Sequence, residues 1–273
     1  MSRPPPRHSP VFAPARWGRH TVFWLVALVW LAGCAGLPTD PEHEEAQLNA
    51  SGWAQANVLP VTDTQARWRH RRIANRPPSR YMPDRHAGRA ALHAHSESGD
   101  SLVRLALQAE NPQLGQLRFS WFVDALNPDA DLRDRELDDA VVRVILQFSG
   151  DRSHFSQRDH MLSELMQLVT GEPLPYATLI YVWDHNLPVG TVLPHPRSQR
   201  IKLMVLESGE ARLGQWVDFE RDVAADYRHA FGLAPEGLRG IALMTDSNNT
   251  GRTSRAWYGP LHWRHAPETS ALR

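Results

Sequence analysis

The sequence predicts a mainly β protein: a single antiparallel β-sandwich, jelly-roll-like, with two short helices. Short runs of residues alternate apolar and polar side chains, and Gly, Pro, Asn and Asp bound these runs. Such period-two alternation is typical of strands that bury one face against a core. The chain also holds 21 Pro and 10 Trp in 273 residues, which favours a sheet protein with many turns.

Nine segments carry the strand pattern. In residues 117–123 every second side chain is apolar, beginning with Leu117, and in residues 141–148 one face begins with Val142. Successive side chains on a strand point to opposite faces, so each segment has one face suited to a core. The predicted strands are residues 90–95, 102–107, 117–123, 141–148, 177–183, 200–206, 214–218, 238–244 and 256–263.

Two further segments show helical spacing. The first covers residues 157–169 and is followed by Gly171, and the second covers residues 219–231 and is followed by Gly232. A Gly directly after the last periodic residue is a common helix stop. The apolar stripes consist of Met161, Leu165 and Leu168 in the first helix and of Val223, Tyr227 and Phe231 in the second.

The N-terminal segment has the pattern of a secretory signal. The first twenty residues hold four Arg and no acidic residue, and an uninterrupted apolar stretch runs from Thr21 to Gly33. A basic region followed by a short apolar region is typical of exported proteins. The tetrapeptide Leu-Ala-Gly-Cys that ends at Cys34 resembles the lipobox of bacterial lipoproteins. The resemblance implies cleavage before Cys34 and lipid on its sulfur, which anchors the protein to a membrane.

Two points concern the location of the chain. Ala35 follows Cys34, and by the sorting preference of Gram-negative lipoproteins this implies the outer membrane, with the domain facing the periplasm. The alternative is an uncleaved signal anchor, because residues 21–37 are uncharged and reach the lower edge of the roughly 17–25 residues that span a bilayer. The four domains predicted are a signal peptide (1–33), a lipidated Cys with a flexible tether (34–66), the β-sandwich (67–265) and a tail (266–273).

The charge balance excludes one class of partner. The chain has 30 basic and 30 acidic residues, and four of the basic ones precede Cys34, so the mature part has 26 against 30, a formal charge of −4. Nucleic-acid binding needs a clustered basic surface, and a mildly acidic domain does not supply one.

A series of blocks in the second half is similar to a known family. The blocks are residues 117–123, 138–144, 179–183, 221–232, 240–251 and 256–259. Their order and spacing resemble the domain-of-unknown-function 3047 family of bacterial envelope proteins over roughly residues 68–264. The resemblance implies the fold and the extent of the domain, and it confers no activity.

The segment 246–251 has the spacing of half a calcium loop. Oxygen-bearing side chains occupy alternate positions and Gly251 occupies the sixth, as in loops that wrap one hard cation. The predicted Ca²⁺ ligands are Asp246, Asn248 and Thr250. The bidentate Glu of such loops is absent, because Trp257 stands at the twelfth position. The alternatives are a polar hairpin turn and a loop that contacts a ligand directly, with Asn249 as a candidate contact.

Two groups of acidic residues are candidate ligand-binding residues. Asp138 and Asp139 precede a predicted strand, and paired carboxylates can serve as general acid and base in glycosidases. The alternative is a solvated strand entry or an ion pair with an Arg such as Arg143. Asp222 and Asp226 lie four residues apart on the second helix, where they either bind a ligand or form an ion-pair network.

Histidines and aromatic residues supply the last candidates. His93 and His95 share one face of a predicted strand and either begin a Zn²⁺ site or form a solvated pair. Aromatic residues on strands either fill the core or stack on sugars. Trp183 and Trp257, at strand ends, are predicted to be exposed, and Tyr258 is a further candidate contact. The aromatic residues on or beside strands are Trp121, Trp183, Trp216, Trp257, Tyr258 and Trp263.

These observations predict an envelope lipoprotein whose domain binds a saccharide or a cell-wall-derived ligand without catalysis. The sequence contains no G-x-S-x-G, P-loop or G-x-G-x-x-G motif. One alternative is a glycan hydrolase that uses Asp138 or Asp139 with Asp246. The other is a structural envelope protein without a small ligand. The predicted partners are the membrane and a glycan or envelope protein, and Ca²⁺ is the one cofactor predicted.

Overall fold

The computed structural model describes residues 40–61, 63, 65–73, 75–110, 114–195 and 198–264. Thirteen strands within these residues form two sheets packed as a β-sandwich, which confirms the predicted fold class. Cys34 and the signal-like segment before it lie outside the described residues. Among the helices in the described part of the chain, none is long and apolar enough to cross a membrane.

The strands are β1 (Arg69–Arg72), β2 (Arg80–His86), β3 (Arg89–Glu97), β4 (Ser101–Glu110), β5 (Gln116–Val123), β6 (Arg143–Ser149), β7 (Ala177–Asp184), β8 (Val192–His195), β9 (Ser198–Ser208), β10 (Trp216–Asp222), β11 (Gly237–Met244), β12 (Thr253–Tyr258) and β13 (His262–Arg264). The helices are α1 (Pro41–Ala50), α2 (Gly52–Ala56), α3 (Gln157–Thr170) and α4 (Val223–Phe231), and a short 3-10 helix covers Arg152–His154.

The strands divide into two sheets. Sheet I has seven strands in the order β1-β4-β11-β6-β7-β9-β8. Sheet II has the order β10-β5-β12-β3-β2, and β13 pairs with β5. One strand pair departs from the predicted antiparallel arrangement, because β7 and β9 run parallel. Strand β8 lies between β7 and β9 in the chain. It pairs with the edge of β9 that faces away from β7, and it forms the edge of the sheet.

The core fills the space between the two sheets. The alternation predicted for residues 141–148 is confirmed, since Val142, Val144, Leu146 and Phe148 all lie in the main apolar cluster. Burial of side chains of this size stabilises the fold by roughly 1.5–3 kcal/mol each. The other face of β6 is buried too, because Ile145 packs in a second apolar cluster with Leu132 and Ala140.

Three strands that the pattern did not predict lie at sheet edges. They are β1 and β8, at the two edges of sheet I, and β2, at one edge of sheet II. The sequence of β1 is Arg-His-Arg-Arg, and β2 and β8 contain Pro83 and Pro194. Edge strands are often short, charged or interrupted by Pro, because these features discourage pairing with another chain. Their sequences therefore lack the amphipathic signal of central strands.

Helices α3 and α4 end where the sequence indicates. Gly171 and Gly232 follow them in the left-handed region, each with φ of 77°. Asp222 caps α4 by accepting from the Ala225 N–H, so residues 219–222 belong to β10 and not to the helix. Val223 and Tyr227 of α4 are buried, whereas the apolar stripe of α3 faces solvent: Met161 is 65%, Leu165 54% and Leu168 84% exposed.

Two helices replace the flexible tether expected before residue 67. Asp40 caps α1 by accepting from the Glu42 N–H, and Pro follows at the first helical position. Leu48 of α1 and Trp53 of α2 are buried in the main core. The Trp53 ring lies 5.1 Å from that of Trp68. Residues 40–56 are thus part of the folded domain, because this contact anchors a segment that looks polar in sequence.

We expect the change Trp53→Ala to lower the free energy of unfolding by about 3–5 kcal/mol, because it leaves a large cavity in the core. Urea unfolding at equilibrium measures this loss. The matched control is Gln55→Ala in the same helix, whose side chain is exposed and whose effect should stay within about 0.5 kcal/mol. A loss no larger than that of the control would show that this segment does not pack on the domain.

Candidate functional site

Charged residues from three strands of sheet I meet around Arg143 and Asp138. Arg143 begins β6, His195 ends β8, and Asp246 follows the end of β11 by two residues. Strands β6 and β11 pair antiparallel with Arg143 opposite the last residue of β11, so Asp246 lies beside the start of β6. Asp138 and Asp139 reach the same place from the segment before β6. We call these five residues the arginine cluster.

The guanidinium of Arg143 is buried between two carboxylates. Its Nε donates to Asp246 Oδ1 at 3.1 Å, and its Nη2 donates to Asp138 Oδ1 at 2.9 Å. His195 Nε2 lies 3.1 Å from the other oxygen of Asp138. The side chains of Arg143, Asp138 and Asp246 are 4%, 8% and 6% exposed. A buried charge without partners destabilises a protein strongly, so each member of the cluster requires the others.

The two carboxylates titrate in opposite directions. Burial raises the pKa of Asp246 to about 7; Arg143 opposes this rise, and the charges of Asp138 and Asp139 add to it. Burial alone would also raise the pKa of Asp138, but Arg143 and His195 outweigh it and hold this pKa well below its usual range. One guanidinium carries one charge, so the ionised partner is Asp138, while Asp246 takes up a proton near neutral pH.

Asp139 joins the cluster to the predicted calcium loop. Its side chain is fully buried and accepts from the backbone N–H of Asn249 at 3.1 Å and of Thr250 at 2.7 Å. The Thr250 hydroxyl also donates to Asp139, at 2.7 Å. One carboxylate thus satisfies three donors of a loop more than a hundred residues away in sequence. Its function here is to hold the loop against the start of β6.

Tyr258 connects the two sheets at the same end of the sandwich. It ends β12 of sheet II, and its hydroxyl donates to the Met244 carbonyl of sheet I at 2.6 Å. The same oxygen accepts from the Arg143 N–H at 3.2 Å and lies 3.0 Å from the Thr245 hydroxyl. Burial raises the pKa of Tyr258 above its usual range, so the phenol stays protonated and can donate.

The three predicted Ca²⁺ ligands are bonded to groups of the protein. The Asp246 carboxylate faces Arg143, and the Thr250 hydroxyl bonds Asp139 and accepts from Asn127 Nδ2 at 2.9 Å. The Asn248 side chain contacts that of Asn249 at 2.7 Å. Among the described residues, no group of three or more His, Cys, Asp and Glu side chains is placed to hold a metal ion.

The second acidic group lies at α4. Arg221 donates to both oxygens of Asp226, at 2.6 and 2.9 Å, and the Tyr181 hydroxyl donates to Asp226 at 2.7 Å. Burial raises the pKa of Tyr181 well above its usual range, and the charge of Asp226 adds to this rise. Asp222 acts as the N-cap of α4. These contacts hold α4 on the sandwich through a bidentate ion pair.

Trp183 and Trp257 occupy different environments, and neither is exposed as predicted. Trp183 is 2% exposed, and its Nε1 donates to the Gly209 carbonyl at 2.9 Å, so it belongs to the core. Trp257 is 8% exposed but points away from the core, on the outer face of sheet II. Its Nε1 donates to Asp84 Oδ2 at 2.8 Å.

A row of large side chains crosses the outer face of sheet II. The register places its members directly opposite one another on five successive strands, β10, β5, β12, β3 and β2. We call this set the aromatic row; it consists of Trp216, Phe122, Trp257, His93 and Met82. Neighbouring strands lie about 4.8 Å apart, so the row extends about 19 Å. The residues that precede or follow them in the chain point into the core.

His86, at the end of β2, lies over the centre of the aromatic row. Its ring stacks on Trp257 at 3.9 Å with an interplanar angle of 14°, and it meets Phe122 edge-on at 4.3 Å. His93 stacks on the Trp257 ring at 4.8 Å. Trp216 is partly exposed at one end of the row, and Met82, at the other end, is 52% exposed.

An open groove of about 440 Å³ borders the aromatic row. Its rim carries paired charges, with Arg89 donating to both oxygens of Asp218 at 2.5 and 3.1 Å and Arg118 donating to Glu220 at 2.8 Å. The Arg89 guanidinium lies 5.2 Å from the centre of the Trp216 ring. The groove therefore combines hydrogen-bonding groups with an aromatic edge.

Trp216, Trp257 and His93 were each candidates from the sequence, whereas Phe122, Met82 and the alignment of the five residues were not predicted. The position of Phe122 could have been predicted from the sequence. The alternation that directs Phe119 and Trp121 to the core places Phe122 on the opposite face of the strand. An aromatic residue on the solvent-facing side of a strand is unusual when the other face is already buried. The register that aligns five such residues is a property of strand pairing, and no short segment contains it.

Comparisons with known proteins give a family and distant structural likenesses. A family described as protein of unknown function, DUF3047, matches residues 66–262. No curated protein matches the sequence. Among solved structures, the xyloglucanase domain of NopAA, a type three effector from Sinorhizobium fredii, in complex with cellobiose, is 7% identical with a TM-score of 0.40; the match covers 76% of this chain and 96% of that chain.

The raised pKa of Asp246 predicts how stability changes with pH. The folded protein keeps this proton up to about pH 7, whereas the unfolded chain releases it near the ordinary Asp pKa of about 3.9. The proton's contribution to the free energy of unfolding is complete below about pH 4 and is lost as the pH rises to about 7, by at most about 1.4 kcal/mol per pH unit.

The measurement compares wild type with Asp246→Asn, which stays uncharged, by urea unfolding across this pH range. The wild-type free energy of unfolding, relative to that of the variant, should fall between about pH 4 and pH 7 and level off above it. Curves that stay parallel throughout would show that Asp246 does not titrate in this window.

Proposed function

The chain belongs to the DUF3047 family, and we propose that it is a lipid-anchored envelope protein whose sandwich domain binds a saccharide on the outer face of sheet II. The observation that carries this proposal is the aromatic row. Five large side chains are aligned across five strands, and Trp216, His93 and Met82 keep part of their surface exposed. A length of about 19 Å suits a chain of several sugar rings more than a single small molecule.

The chemistry of the aromatic row suits a sugar. The faces of sugar rings carry C–H groups that pack on aromatic rings, and their edges carry hydroxyl groups that need hydrogen bonds. Trp216 is partly exposed, and Arg89, which lies over its ring, lines the groove together with Asp218 and supplies donors beside the acceptors of that carboxylate. A platform with a few polar groups beside it is the usual composition of a small-molecule site.

Burial of the arginine cluster favours binding over hydrolysis. A glycosidase needs two carboxylates that reach the substrate from either side of the bond. Asp138 and Asp246 instead face the same guanidinium and are less than a tenth exposed, and Asp139 is committed to three donors of the loop. The cluster is suited to holding the loop that leads into β12, the strand that carries Trp257.

Lipid on Cys34 is the second part of the proposal, and the lipobox-like tetrapeptide supports it. Two or three acyl chains hold a protein on a bilayer without a transmembrane helix, at roughly 0.8 kcal/mol per buried CH₂ group. With Ala35 after the modified Cys34, the proposed location is the outer membrane, with the domain in the periplasm. Such a location exposes the domain to cell-wall glycans.

Replacing the accessible aromatic edge should weaken saccharide binding. We expect Trp216→Ala to lower the affinity about tenfold or more, because it removes a stacking surface worth at least about 1.4 kcal/mol. Titration calorimetry with soluble peptidoglycan fragments and neutral glucans measures the affinity. The change Trp216→Phe keeps a ring and should retain most of it.

Val189→Ala, at an exposed position outside the aromatic row, serves as the control and should bind like wild type. Repeating the titration with Ca²⁺ and with a chelator tests whether the loop at Asp246 contributes. Assaying the same glycans for released products tests the hydrolase alternative. Equal affinity of wild type and Trp216→Ala for every glycan that binds would remove the proposed site.

Metabolic labelling tests the anchor separately. Cells that express the full chain and receive radiolabelled palmitate should yield a labelled protein in the membrane fraction. Cys34→Ser should take up no label, because the chain has one Cys. An unlabelled wild type, or a Cys34→Ser variant that incorporates palmitate, would refute lipid attachment at this position.

A further inference from the structure

Helix α3 presents an apolar stripe to solvent. Met161, Leu165 and Leu168 lie at positions i, i+4 and i+7, and each is more than half exposed. Residues at this spacing share one face of a helix. Exposed apolar groups are common singly, but three on one helix face form a contiguous patch of the kind that marks an interaction surface.

Two ion pairs tie the end of α3 and the start of α1 to the same short strand, β1. Arg71 and Arg72 are consecutive in β1; Arg71 pairs with Glu172, just after α3, at 2.9 Å, and Arg72 pairs with Glu44, in the first turn of α1, at 3.7 Å. The C-terminal end of α3 and the N-terminal end of α1 are thus held at one short strand.

Covalent geometry limits how far this corner can be from Cys34. Asp40 follows Cys34 by six residues. An extended chain spans at most about 3.6 Å per residue, so the six residues from Cys34 to Asp40 can span no more than about 22 Å. A lipidated Cys34 would therefore keep the start of α1, and the end of α3 beside it, near the membrane surface.

A crevice beside the stripe has the chemistry of a phospholipid contact. It lies between α3 and sheet I, and its lining includes Arg71, Arg104, Arg239, Leu102, Ile73 and Met166. Arg71 and Arg104 share the single carboxylate of Glu172, at 2.9 and 3.2 Å, so positive charge is in excess there. Guanidinium groups bind phosphate oxygens well, and apolar side chains beside them favour the boundary between headgroups and acyl chains.

We propose that this corner of the domain docks on the phospholipid bilayer, with Met161, Leu165 and Leu168 inserted among the headgroups and the arginine-lined crevice on lipid phosphate. The inference rests on the lipid anchor proposed above. A bilayer is the occupant that the observations favour over a protein, because the short connection to Cys34 brings this corner to the membrane and the charge suits phosphate.

Docking in this way leaves the proposed saccharide site accessible. The crevice opens on the outer face of sheet I, where Arg104 and Gln147 alternate with the core residues Leu105 and Leu146. The aromatic row lies on the outer face of sheet II, on the other side of the sandwich. A domain that rests on α3 would therefore turn the aromatic row away from the membrane.

A single environment-sensitive label tests the docking. Lipid on Cys34 blocks the one native thiol, so Leu165→Cys in the full-length lipoprotein offers one site for a thiol-reactive NBD fluorophore. The matched control is Val189→Cys. Val189 is similarly exposed but lies beyond the end of β7, whereas α3 lies before its start. Both proteins are reconstituted into vesicles of phosphatidylethanolamine and phosphatidylglycerol, with and without brominated lipid.

The expected result is blue-shifted emission and bromine quenching for the Leu165→Cys label, and neither for the Val189→Cys label. Water-like emission from both labels would overturn the docking and leave the stripe to a protein partner. Unmodified wild type is treated with the same fluorophore as a separate check. Uptake of label there would reveal a free Cys34 and would overturn both the anchor and the docking. If the wild type takes up no label, water-like emission from both variants would overturn the docking alone.

Discussion

The buried charge of Arg143 is the constraint on which one end of the sandwich depends. A guanidinium at the start of a central strand has no water to solvate it, so its partners must come from other segments of the chain. Asp138 supplies the opposing charge, Asp246 accepts a further hydrogen bond from the guanidinium, and the backbone N–H of Arg143 donates to Tyr258 of the other sheet. These contacts join three parts of the chain: the segment before β6, the loop after β11 and the end of β12. Asp139 also binds the backbone of the loop after β11, at Asn249 and Thr250.

This assembly bears on the proposed saccharide site because β12 carries both functions. Tyr258 points inward to the arginine cluster, and Trp257, its neighbour, points outward to the aromatic row. Successive side chains of a strand point to opposite faces, so the hydrogen bonds that fix Tyr258 on the inner face also fix the position of Trp257 on the outer face. The proposed bilayer contact lies on the opposite sheet, so it would not compete with the proposed saccharide site for the same surface.

Central elements were predictable because their signals are local. The alternation of β5 and β6 and the helix stops at Gly171 and Gly232 appear within a few residues of sequence. Edge strands and the N-terminal helices were not predictable in this way. Strand β1 has no apolar residue. The segment of α1 and α2 has no apolar period, and its packing on the domain depends on the contact between Trp53 and Trp68. The same holds for the candidate sites: the acidic pair and the polar loop were both recognised, but nothing local shows that Asp139 holds that loop.

By itself, the sequence determined the sandwich class, the core faces of its central strands, the stop signals after α3 and α4, and the family. The tertiary structure alone decided which polar residues are buried partners, that the stripe of α3 faces outward, and that five side chains align across sheet II. The physical reason is distance along the chain. Periodicity and capping act over a few residues, whereas charge neutralisation and strand register join segments separated by a hundred residues or more, as Asp138 and Asp246 do through Arg143.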